Sequence, residues 1–216
     1  MQGFALKIYS GEVYDVDFGS IVKVFNERGF KARAFENIDQ VVKVLEKEIG
    51  PDQSVGVGGS VTVKQSGITD ILRARGNTVY FHWEVDKSEI GKTRKLASQA
   101  DVYLCSSNAV TADGKLVNID GIGNRVASMF YGPDKVYIIC GRNKVVENEE
   151  QAVERIKNKA CPPNARRLVR KTPCSKTGRC HDCDSPDRMC SVKVVMERCP
   201  KGKEINIMFV DQDLGY

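Results

Sequence analysis

The chain has 216 residues, 41% of them hydrophobic, and a formal net charge of +5. That is apolar material for one ordinary core, which excludes the disordered and fibrous classes. Aromatics make up only 7%, so the basic and aromatic surface of a nucleic-acid binder is not expected, and no stretch approaches the roughly 18 apolar residues of a membrane span.

The first twenty residues carry Asp and Glu and no continuous apolar run, so no signal peptide is read and a cytoplasmic protein is expected. Apolar residues then recur at helical spacing over residues 21–28 and 38–49. In the second stretch Val41, Val42, Leu45 and Ile49 mark one face, and Gly50-Pro51 ends it. Between the two, residues 30–35 alternate like a strand. Further strands are predicted at 54–57, 78–81, 102–105, 135–140 and 204–210, and helices at 69–75, 87–100 and 149–159. Asp113-Gly114 suits the turn of a small hairpin whose second strand is 116–119. Strands alternating with helices predict an α/β fold with a mainly parallel sheet. After Pro162-Pro163 the composition turns to Cys, Pro, Arg, Asp and Ser. The expected organisation is an α/β domain over 1–160, a cysteine-rich irregular arm over 161–203, and a strand in 204–216 that returns to the main sheet.

Three polar segments follow predicted strands. Gly58 and Gly59 turn the chain after 54–57 and lead into Ser60 and Thr62, a pattern that fits either an anion cradle or a tight turn without a ligand. It has neither the Walker nor the dinucleotide spacing. Residues 106–126 are dense in Asn, Asp, Gly and Ser, with Asn108, Asn118, Asp120, Gly123, Asn124 and Arg125 as site candidates. At least one of the asparagines is expected only to bond turn backbone. Gly141-Arg142-Asn143-Lys144 is the third, where Lys144 or Arg142 suits a carboxylate or phosphate and Asn143 is a further ligand candidate, against the alternative of a helix-capping or exposed turn. Ligands of open α/β sheets bind at such strand ends. His82 and Asp120 are the candidate bases, although a lone His is more often structural, and no Ser–His–Asp set is readable.

Eight cysteines are many for a cytoplasmic protein. Cys105 and Cys140 end apolar runs and read as buried small hydrophobes. Cys174-x5-Cys180-x2-Cys183-x6-Cys190 offers four thiolates for zinc or an iron–sulfur cluster, against the alternative of free thiols. Cys161 and Cys199 are left over, as a redox pair or extra ligands, and His181 as a bystander. The basic run from Arg166 to Lys171 reads as a solvated helix end.

These blocks, with Gly132-Pro133, the tail from Thr172-Pro173-Cys174 to Cys190, and Leu214-Gly215-Tyr216, resemble the lactate-utilization LUD family in order and over about residues 20–216. The resemblance implies a Rossmann-like sheet similar to the ribose-5-phosphate isomerase, glucosamine-phosphate deaminase and CoA-transferase group. It implies ligands near Gly58–Thr62 and the loop containing Asn118 and Arg125, and iron–sulfur oxidoreductase partner proteins in lactate oxidation. Three readings stand: a small-anion-binding component of 2-hydroxy acid utilization, an isomerase or transferase acting on a sugar phosphate or CoA thioester, and a non-catalytic assembly subunit. A homo-oligomer is left open.

Overall fold

The computed structural model of the chain describes residues 8–9, 12–13 and 16–216. In chain order it runs β1 (Ile8–Tyr9), β2 (Glu12–Val13), α1 (Phe18–Glu27), β3 (Lys31–Phe35), α2 (Ile38–Glu48), β4 (Val55–Val57), α3 (Val61–Ser66) and α4 (Ile68–Ala74). Next come β5 (Val79–Phe81), α5 (Ile90–Ala97), β6 (Val102–Cys105), β7 (Ala109–Thr111), β8 (Leu116–Asp120), α6 (Asn124–Phe130) and β9 (Lys135–Gly141). The remainder is β10 (Val145–Val146), α7 (Glu149–Arg155), α8 (Cys161–Arg167), α9 (Pro173–Thr177), β11 (Val192–Met196) and β12 (Glu204–Val210). Among the described residues no helix is long and apolar enough to cross a membrane.

Six strands form one parallel sheet in the order β3-β12-β9-β6-β4-β5. Its strands are apolar on both faces because both faces are covered. In β9, Val136, Ile138 and Cys140 face one core with Phe25, Phe209 and Met129. Tyr137 and Ile139 face the other, with Leu45, Leu72 and Val57. Cys105 and Cys140 are fully buried, as their apolar runs predict. Both helices flanking β3 start at a capped residue: Asp17 accepts from Ser20 N–H and Asn37 from Gln40 N–H.

A second sheet, β10-β7-β8-β11, sits beyond the end of β6. Its centre is the expected hairpin, with Gly114 at φ +88 in the turn. The sequence led to an irregular arm over 161–203, but β11 lies within that span and pairs antiparallel with β8 from Val192 to Met196. The short apolar run there was masked by its Cys- and Pro-rich surroundings. The predicted helix 149–159 also differs. It continues past Arg155 as a π turn, Ile156–Ala160, straight into α8. Pro162 and Pro163 read as a break, yet they sit in the first turn of α8, where the missing N–H groups cost nothing.

Candidate functional site

In the sheet, β9, β6 and β4 are neighbours and run parallel. Their carboxyl ends therefore open on one rim, the usual ligand position in such sheets. A cleft lies there, lined by Gly59, Ser60 and Thr62 after β4, Ser106, Ser107 and Asn108 after β6, and Lys144 after β9. Arg125, Trp83, Ile156, Cys161, Asn164, Met189, Gly215 and Tyr216 close its walls. Seen by a water-sized molecule its volume is about 80 Å³.

Lys144 is the central cation. It is 4% exposed, and its Nζ donates to Thr62 Oγ1 at 2.8 Å and to Ser106 Oγ at 2.5 Å. No carboxylate pairs with it among the described residues. Burial lowers its pKa from 10.5 to about 7; the nearby Arg155 and Arg125 act in the same direction. Arg155 is itself buried, which brings its pKa down to about 10, and it holds the carbonyls of Asn143 at 2.7 Å and Asn108 at 2.7 Å.

Arg125 has a different task. Its Nε and Nη2 meet Asp120 Oδ1, its Nη1 meets Ser106 O and Asn118 Oδ1, and its Nη2 also meets Asn108 Oδ1. Every nitrogen of the guanidinium is engaged, so Arg125 welds the loop after β6 to the hairpin. Asp120 also accepts from Val126 N–H at 3.0 Å. Asn118 accepts from Asn108 N–H at 2.9 Å and donates to Ser107 Oγ at 3.0 Å, while Asn108 accepts from Ile119 N–H at 3.0 Å. Asn118 does not reach the cleft lining, but it bonds the side chains of Arg125 and Ser107 as well as backbone, so it is not the backbone-only asparagine the sequence led to.

The structure thus brings Gly59, Ser60, Thr62, Asn108, Arg125 and Lys144 together. Ser60 also caps α3, accepting from Val63 N–H at 3.2 Å. Gly58, Asn118, Asp120, Gly123, Asn124 and Asn143 lie outside the lining. At Gly58 a Cβ would come within 2.9 Å of the Tyr103 hydroxyl and 3.0 Å of Arg125, so that glycine serves close packing. Asn143 pins the C-terminal tail through Leu214 N–H at 3.1 Å. His82 is 6% exposed, outside the lining, with Nδ1 unpartnered among the described residues. Burial, with Arg94 and Arg167, lowers its pKa to about 4, so it is neutral.

Trp83 and Ser106 were not singled out as site residues. Ser106 follows β6 and Trp83 lies two residues after β5, and only the sheet order reveals that these strands flank β4. Arg167 lies 3.9 Å above the Trp83 ring, a cation–π contact rather than a solvated end.

Cys161 borders Cys190, with Cys174 and Cys180 nearby, and burial raises its thiol to about 12. Cys180 Sγ accepts from Asp182 N–H at 3.3 Å. Cys199 instead packs beneath Gly29, against the first core. The thiol set suits a soft metal, but among the described residues no three His, Cys, Asp or Glu side chains stand close enough to share an ion. The arm as placed does not fit a closed tetrahedral centre.

A mainly parallel α/β sheet covered by helices, with a polar cleft at the ends of adjacent strands, defines an α/β domain of Rossmann-like architecture. The chain belongs to the LUD domain family, whose profile matches residues 20–210; the family is associated with lactate utilization. A crystal structure of a DUF162 family protein from Deinococcus radiodurans is 13% identical, with a TM-score of 0.49, covering 91% of this chain and 99% of that one. No match is found among curated proteins.

Proposed function

We propose that this chain is a component of lactate or related 2-hydroxy acid utilization, and that its cleft holds a small carboxylate against Lys144. The observation that carries this reading is a buried lysine nitrogen whose only hydrogen-bond partners among the described residues are two hydroxyls. A buried charge without a counter-charge is unfavourable. An incoming carboxylate supplies one, and Arg125 and Arg155 behind Lys144 make the cleft attractive to anions. The inner cleft of about 80 Å³ has room for roughly half a dozen waters, enough for the head of a three-carbon acid. An isomerase or transferase would need a free base at the cleft. Asp120 is engaged by Arg125, and His82 stands outside the lining, so the geometry favours binding.

In this reading the cysteine arm is the attachment for an iron–sulfur partner protein. Co-purification from anaerobically prepared extract tests that attachment. Trp83 is the sole tryptophan and lines the cleft, so its fluorescence tests the main claim. L-Lactate or pyruvate should change it saturably, and Lys144→Met should abolish the response. A response to inorganic phosphate alone would favour a phosphorylated ligand.

A further inference from the structure

We propose that Lys144 is also a covalent site, whose amine condenses with the carbonyl of a small 2-oxo acid to form an imine. This rests on the anion-binding reading of the same cleft, and adds an electrophile to it. A 2-hydroxy acid has no carbonyl that an amine can attack in this way, so the covalent ligand is the oxidised partner of the pair.

The first support is geometric. Nζ meets Thr62 Oγ1 at 2.8 Å and Ser106 Oγ at 2.5 Å, and both residues line the cleft. A neutral amine has two N–H bonds and one lone pair. The two hydroxyl oxygens accept both N–H bonds, which leaves the lone pair as the one direction without a protein partner. The second support is the setting. The charged and titratable groups around Nζ are Arg155, Arg125, Cys140 and Cys105. Burial raises both thiols, Cys105 to about 12, so neither is an anion that would stabilise the ammonium. The two guanidiniums draw the acid in and disfavour a third positive charge. The depressed pKa, about 7, follows from that arrangement, and desolvated lysines of this kind are the usual imine formers. The third support is size, since the inner cleft of about 80 Å³ has room for a three-carbon oxo acid beside Lys144.

The step balances without an oxidant. The amine nitrogen bonds to the carbonyl carbon, giving a carbinolamine. The carbon–oxygen bond then breaks and that oxygen leaves as water. The two amine protons pass, by way of the Thr62 and Ser106 hydroxyls, to the former carbonyl oxygen, which carries both away as that water. No carboxylate is at hand to drive later proton transfers, so the imine is a reversible resting adduct.

The test is reductive trapping. Wild-type protein is incubated with pyruvate and cyanoborohydride at pH 7, then mass-analysed intact and as peptides. At that pH an amine of pKa about 7 is on the order of a thousandfold more deprotonated than one at 10.5. One adduct per chain is expected, on Lys144, suppressed by excess L-lactate and missing from Lys144→Arg. Label scattered over exposed lysines, unchanged in Lys144→Arg, overturns the proposal; the wild-type peptide map decides this even if the variant misfolds. If no adduct forms while Trp83 still titrates with pyruvate, the imine fails and the anion site stands. If neither signal appears, both fail.

Discussion

Lys144 and His82 are buried nitrogen bases, and burial drives both toward the neutral form. The consequences differ because only Lys144 meets the cleft. An anion in the cleft favours the ammonium, so affinity should fall as pH rises through about 7, and a titration of Trp83 fluorescence across pH 6–9 measures this. Lys144→Met should lose binding without losing stability, since it removes a buried amine that has no carboxylate partner. For His82 the unfolded chain binds more protons than the folded one between about 4 and 6.5. Its contribution is therefore present above pH 6.5 and is lost as pH falls toward 4. Melting temperature should drop over that window in the wild type and drop less in His82→Leu; equal slopes would show that another group carries the acid limb. Sequence position alone marked Lys144 as a site residue, because it follows an apolar strand. It could not reveal that Arg125 would be locked by five contacts, since those partners come from the loop after β6 and from the hairpin, which only folding brings together around it.

At the scale of elements, the cleft depends on close approach and on one buried ion pair. Gly56 lies in β4 where a Cβ would stand 2.1 Å from Ala97 O in α5. Gly56→Ala should cost roughly 1–3 kcal/mol or more, read by urea denaturation, as the helix is pushed off the sheet. Arg125 and Asp120 are each only 9% exposed at the side chain. Arg125→Ala should cost about 3–5 kcal/mol, because it strands a buried carboxylate and several loop acceptors. The double variant Arg125→Met with Asp120→Asn should cost less than the single; a larger loss would mean the loop bonds outweigh the charge. The glycine turn after β4 and the Asp113-Gly114 hairpin were readable because each is local chemistry. The π turn at Ile156–Ala160 was not, since Pro-Pro suits a helix start as well as a helix end. That turn places Ile156, Ala160 and Cys161 on the cleft wall.

For the whole molecule, alternation of strand and helix revealed a parallel sheet, but not its order. Order depends on pairings between residues far apart in sequence, and no local pattern encodes them. The clearest case is β12, which reads as a last apolar strand and lies between β3 and β9, inside the sheet. Residues from both faces of β12 enter the two cores: Ile207 and Phe209 on one side, Met208 and Val210 on the other. The sheet therefore cannot close until the end of the chain is available, which makes the fold rich in long-range contacts and slow to form. A chain stopped after Lys203 would leave two buried strands with unpaired edges and open both cores. Such a truncation should lose cooperative urea unfolding and near-ultraviolet dichroism, and Trp83 should report a solvent-exposed ring. If the shortened chain instead unfolds in one sharp transition with a buried tryptophan, the cleft is built by β4, β6 and β9 alone, and β12 only braces it.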